Sequence, residues 1–219
     1  MEEILRKFRD DAITLLGSNL ICLLHHGSRA KCEAHAESDY DFIIIVKGVN
    51  EKTIKSIYNL LQNRPRFTAY LLSLRDIESL PKGHLLEFMH AKPLYGECKV
   101  SVPTAEEVRQ YLSYSRREEL TSIRHWLMLP HPLERKARMT YYELKFVYVY
   151  LSYLAFTESG KLPPTRKDTI AYFKRRKGYS LGVRLLQILD NWNNYKDDLA
   201  NNPDRYLFML EKFFRTARP

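Results

Sequence analysis

The chain has 219 residues, 45% of them apolar, enough for one large domain or two small ones with full cores. No run approaches the roughly 18 to 20 uninterrupted apolar residues of a membrane span, and the charged first turn lacks the apolar h-region of a signal peptide. Three scattered cysteines, Cys22, Cys32 and Cys98, form no C-x-x-C pair of the zinc or redox kind, so a cytoplasmic protein with reduced thiols is expected.

The net charge of +9 is unevenly placed. Residues 1–100 carry 14 Lys and Arg against 13 Asp and Glu, or +1, whereas residues 101–219 carry 21 against 13, or +8. Such an excess is either a well-solvated basic surface or a surface that receives an anionic partner.

In chain order, Glu2 to Leu16 places apolar residues at a 3.6-residue rhythm closed by Gly17, which predicts an amphipathic helix. Asn19 to His25 and Asp39 to Lys47 read as strands, the second rich in Ile. Asn50 caps a predicted helix through Leu61, with Ile54, Ile57, Tyr58 and Leu61 on its apolar face, and Arg64-Pro65 ends it. A third strand spans Arg66 to Ser73, followed by short helices near Leu74 to Leu80 and His84 to His90.

Beyond Pro103 no strand-like run remains. Thr104 to Glu107 forms a capping box that opens a long helix toward Leu129, where Pro130 and Pro132 stop it. Glu134 to Glu158 is apolar on most sides, as a central helix of a bundle would be. Shorter helices begin at Thr165, Ser180 and Asn202. The predicted organisation is two domains, 1–102 with the sheet and 103–219 all-helical.

Two stretches carry chemistry. Asp39 and Asp41 lie two residues apart at a strand's start, so strand alternation points both to one face, about 7 Å apart along the chain. Two such carboxylates repel, and a Mg²⁺ ion held by one or two carboxylates plus substrate phosphates relieves the repulsion. Gly27-Ser28 follows the first strand and precedes a helix start, where backbone N–H groups and a hydroxyl can receive phosphate. Arg29 and Lys31 flank that turn and can add positive charge.

Strand, Gly-Ser, ten residues, Asp-x-Asp and an Ile-rich strand occur in the order and spacing of the nucleotidyltransferase superfamily related to DNA polymerase β. The chain resembles that family from about Leu20 to Val46, most specifically in "SDYDFIIIV", and "PLYG" at Pro93 to Gly96 resembles the end of its minimal catalytic domain. The helical half is similar, more loosely, to bundles attached to such domains in aminoglycoside nucleotidyltransferases and antitoxin–toxin systems. The resemblance implies an α+β fold, with an N-terminal nucleotidyltransferase-type mixed sheet and flanking helices followed by a C-terminal helical bundle. It also implies transfer of a nucleoside monophosphate from a Mg²⁺- or Mn²⁺-bound nucleoside triphosphate, ATP foremost, to an acceptor hydroxyl. In that reading Asp39 and Asp41 are the catalytic metal ligands, and Gly27, Ser28, Arg29 and Lys31 bind phosphate.

One position departs from the family. Its third carboxylate, on the next strand, corresponds here to Thr68, and no Asp or Glu lies between Arg66 and Leu74. Either a glutamate of the second half, such as Glu118, Glu119 or Glu143, supplies the base, or the acceptor needs little activation, or the domain binds nucleotide or RNA without chemistry.

Arg166, Lys167, Lys174, Arg175, Arg176 and Lys177 surround Ile170, Tyr172 and Phe173, a mixture that suits RNA or nucleotide contact or a solvated helix end. The charge of the second half favours an RNA 3′ end or an acidic protein as acceptor over a polycation. Arg124 and His131 have the R-x₄₋₆-H spacing of certain helical ribonucleases, but the flanking prolines break the helix such a pair occupies. Base preference and acceptor are left open, and the composition is compatible with a homo-oligomer.

Overall fold

In the computed structural model, which describes residues 2–34 and 38–219, every strand falls in the first hundred residues. The chain divides into two compact units, residues 1–102 and 103–219.

The first unit opens with α1 (Glu3–Leu16), whose Leu5, Phe8, Ala12 and Leu16 form its buried stripe. β1 (Leu20–His26) follows, then a single helical turn, α2 (Gly27–Ala30), and β2 (Tyr40–Val46). α3 (Glu51–Gln62) crosses over to β3 (Phe67–Ser73), and α4 (Leu74–Ser79) and a 3₁₀ segment (Lys82–His90) lead to β4 (Lys92–Tyr95). The sheet order is β3-β2-β1-β4, with β1 antiparallel to β2 and β4, and β2 parallel to β3. A parallel neighbour requires a crossover connection, and α3 provides it.

The Ile run of β2 does not alternate with polar residues because both faces of the sheet are covered. Phe42, Ile44 and Val46 pack with Leu23 against Phe8, Leu16, Ile57 and Leu60 of α1 and α3. Ile43 and Ile45 face the other way, with Cys22, Leu24, Leu72 and Phe88.

Three expectations are corrected. The buried face of α3 is Thr53, Ile57 and Leu60, while Ile54 and Tyr58 are exposed. Asn50 caps the helix as predicted, accepting from the Thr53 amide at 2.9 Å, and the Thr53 hydroxyl bonds Asn50 and Gly48, which turns that residue inward. His84 to His90 is 3₁₀ rather than α-helical. β4 was not predicted, since four residues containing Pro93 carry little strand signal away from their partner β1. Gly96, with φ +64°, lets the chain leave β4 directly over the Ile21 carbonyl, where any side chain would collide.

The second unit is helical: α5 (Ala105–Met128), α6 (Leu133–Ser159), α7 (Arg166–Phe173), α8 (Ser180–Asp190), α9 (Trp192–Asn201) and α10 (Pro203–Thr216). The Thr104–Glu107 capping box is present, with the Thr104 amide donating to the Glu107 carboxylate at 2.7 Å. α6 packs against all five other helices and buries Leu144, Val147, Tyr150 and Leu151 completely. α9 was not foreseen as a separate helix because Leu199 is its one buried residue. Among the described residues, no helix is long and apolar enough to cross a membrane.

Candidate active site at the start of the second strand

β1 ends beside the start of β2. His26 pairs with Asp41 across the antiparallel ladder, and Asp41 pairs with Thr68 across the parallel one. Asp41 therefore sits between the turn that follows β1 and Thr68 of β3. The Thr68 hydroxyl donates to Asp41 Oδ1 at 2.6 Å. Its second oxygen, Oδ2, packs on the bare Cα of Gly27, whose φ is +77° and where a side chain would collide with that oxygen. Glycine is required here twice over, by backbone conformation and by space.

Asp39 lies one residue before β2 and is exposed, while Asp41 is half-buried. Two carboxylates spaced for one strand face are hard oxygen donors of the kind Mg²⁺ or Mn²⁺ accepts. Among the described residues no three His, Cys, Asp or Glu side chains converge, so the remaining ligands would come from substrate phosphate and water. The residues present suit such an ion by donor type: exposed Asp39 and half-buried Asp41 offer carboxylate oxygens two residues apart, and Asp41 Oδ2 lies against the Gly27 Cα.

The phosphate side differs from expectation in one respect. The helix that begins at Gly27 is one turn long, so it offers N–H groups but little macrodipole. Ser28 binds the turn together, its carbonyl accepting from the Glu33 amide at 2.8 Å. Arg29 Nε donates to the Ser38 carbonyl at 2.9 Å, and its guanidinium lies 4.2 Å from the Tyr40 ring centroid. Arg29 thus ties down the approach to β2. Lys31 acts electrostatically on His26 and on Glu87.

Three further residues stand at the site, of which Tyr70 and Glu87 escaped the sequence reading. Burial lowers the affinity of His26 for a proton, partly offset by Asp41, and its buried Nε2 has no hydrogen-bond partner. Tyr70 lies with its ring 5.7 Å from His26, and desolvation, then Glu87 and Asp41, raise its phenol. Glu87, on the 3₁₀ segment, is raised above the usual carboxylate range by burial and by Asp41, with Lys31 opposing. Tyr70 was within reach of the strand period, two residues past Thr68. Glu87 had no local signal, because it arrives from a segment beyond β3 and α4.

The basic cluster is only partly outward. Arg166 is 6% exposed and donates to the Leu189 carbonyl at 2.7 Å, so it belongs to the bundle and not to a contact surface. Arg176 pairs with Glu158 and stacks over Tyr172, whose hydroxyl donates to Glu158 at 3.0 Å, while Phe173 is fully buried. Lys167, Lys174, Arg175 and Lys177 are exposed. Arg124 pairs with Glu211 at 2.8 Å, and His131 lies past the end of α5 against Trp126, so these two do not share a helix.

No family model and no curated protein matches the sequence. Among solved structures, the chain is similar to the spectinomycin adenyltransferase AAD(9) from Enterococcus faecialis, solved with ATP and spectinomycin. The likeness has a TM-score of 0.60 at 11% identity and covers 95% of this chain and 98% of that one. At that identity it speaks for the fold: a nucleotidyltransferase-type mixed sheet with flanking helices, followed by a helical bundle.

Proposed function

We propose that the chain transfers a nucleoside monophosphate from a divalent-metal-bound nucleoside triphosphate to an acceptor hydroxyl. The observation that supports this reading is the meeting of Gly27, Asp41 and Thr68, which sets a half-buried carboxylate between a glycine Cα and a hydroxyl at the start of β2. ATP is the donor by analogy with the ligand of the AAD(9) structure.

Asp39 and Asp41 would hold the cation, Mg²⁺ or Mn²⁺, which when bound neutralises charge on the transferred phosphate and the leaving pyrophosphate. Gly27 and Ser28 orient the terminal phosphates through backbone N–H groups and a hydroxyl, Lys31 adds charge, and Arg29 holds the loop that delivers Asp39. Thr68 fixes the rotamer of Asp41 and cannot accept the acceptor's proton. Glu87 is the carboxylate assigned that task, since a carboxyl group held above its ordinary value is the stronger base once ionised. The exposed Lys167, Lys174, Arg175 and Lys177 support an RNA 3′ end or an acidic protein as acceptor.

A second reading, nucleotide or RNA binding without turnover, rests on Thr68 itself. Calorimetric titration of the four ribonucleoside triphosphates, with and without Mg²⁺, tests both. Metal-dependent binding that an Asp39→Ala/Asp41→Ala protein loses is expected, together with label transfer that Glu87→Gln slows by about 100-fold while binding persists. Binding with no transfer to RNA or protein would favour the second reading, and no binding of any triphosphate would remove both.

A further inference from the structure

The helical unit, for all its positive charge, contains an acidic pocket. α5 and α6 line an open pocket of about 390 Å³ formed by Glu118, Glu119, Ser122, Tyr142, Glu143 and Phe146. Glu143 is 4% exposed. Its Oε1 accepts from the Ser122 hydroxyl at 2.8 Å, and its Oε2 is buried with no protein donor. Glu119 faces it from α5, one helical turn before Ser122 on the same side of that helix.

Two carboxylates in hydrogen-bonding contact are not both charged without a positive partner. Burial, then the bond to Glu143 and the charges of Glu143 and Glu118, push Glu119 up to about 9. A neutral Glu119 can donate its proton to Glu143 Oε2, the one donor that oxygen can find. Other charges nearby do not replace it. No ion pair to Glu118, Glu119 or Glu143 occurs among the described residues. Lys145 lies over the rings of Tyr141 and Tyr142, and Glu211 of α10, the remaining helix packed on both, is taken by Arg124 and Arg215.

We propose that this pocket binds a primary organic ammonium ion, whose N–H donors take the Glu143 Oε2 and Glu119 carboxylates while Tyr142 and Phe146 cover its alkyl portion. The residue set discriminates among cations. A divalent metal needs more acidic or imidazole ligands, and no cluster of three is found among the described residues. An ammonium needs one or two carboxylate acceptors, and aromatic walls favour it further. Glu118, exposed at the rim, adds attraction without direct contact. This site is independent of the nucleotidyl-transfer reading.

The chemistry dictates the test. An ammonium that bridges the two carboxylates must displace the proton between them, so binding releases about one proton per ligand at pH 7. Titration calorimetry of the full chain with 1,4-diaminobutane, whose amines stay charged below about pH 9, should show affinity rising toward tenfold per pH unit from 6 to 8. The heat should differ between phosphate and Tris buffers by one ionisation. Glu143→Gln should weaken binding at least about tenfold and abolish the buffer dependence. Affinity independent of pH with no proton released, equal competition by KCl at the same ionic strength, or undiminished binding by Glu143→Gln would each overturn the proposal. Should Glu143→Gln fail to fold, the buffer dependence of the wild-type chain decides alone.

Discussion

In the sheet unit, Asp41 stands between Gly27 and Thr68 with a hydroxyl on one oxygen and a bare Cα against the other, its companion Asp39 exposed one residue before the strand. In the helical unit, Glu143 also has a hydroxyl on one oxygen, but the other meets Glu119 inside a pocket. The first pair comes from neighbours in the chain, one of them exposed; the second comes from two helices and shares a proton. In the function proposed above, repulsion is relieved by an external cation in one place and by protonation in the other. The comparison can be broken at three points.

The largest effect is expected at Gly27. Gly27→Ala forces a side chain into Asp41 Oδ2 at a φ of +77°, which costs about 2 kcal/mol or more and displaces the carboxylate. Melting temperature should fall, and metal-dependent triphosphate affinity should drop by at least about 100-fold. Because the collision is with one side chain, Asp41→Ala in the Gly27→Ala background should recover the steric part of the lost stability, leaving the cost of the positive φ, without recovering affinity. A double-mutant cycle showing simple additivity would mean that the two residues are not in contact.

How much of this was legible in the sequence follows the same division. Asp39, Asp41 and Gly27-Ser28 are local features, fixed by strand period and turn chemistry, and the structure brings Gly27, Asp41 and Thr68 together. The Ile run was readable as a strand because both sheet faces are covered. What lay hidden depended on distant partners: β4 exists only through its ladder with β1, and Glu87, on a 3₁₀ segment, comes within the electrostatic influence of Asp41. The inward face of α3 turned on hydrogen bonds of Thr53 that apolar periodicity does not register. Arg166 looked like its five basic neighbours until the Leu189 carbonyl claimed it. Glu119 and Glu143 could be named as candidates, but their contact across two long helices could not.

The intermediate effect concerns Glu119. Its native value near 9 lies above the unfolded value of about 4.3, so the native state binds the proton more tightly. Stability from this group is therefore complete below about pH 4 and is lost as pH rises toward 9. Glu119→Gln is neutral throughout and keeps the donor to Glu143. It should match the wild type near pH 4 and exceed it at pH 8 by on the order of 1 kcal/mol. Thermal melts at both values check this, and a gain of equal size at pH 4 and 8 would show that packing, not protonation, is responsible.

The smallest effect is expected at Thr68, and it separates holding from following. If the hydroxyl orients Asp41 for a cation, Thr68→Ala should lower metal-dependent triphosphate affinity by about tenfold, the value of one hydrogen bond to a charged group. Thr68→Ser should restore it. Stability should hardly change, since the bond lies at the open end of the sheet, where water can replace the hydroxyl. The matching substitution in the other unit, Ser122→Ala, removes the donor to Glu143 in a half-buried setting and should destabilise the fold measurably. Equal affinity of Thr68→Ala and wild type, beside a destabilised Ser122→Ala, would mean that Gly27 and the strand ladder alone position Asp41, and that the Thr68 hydroxyl merely follows it.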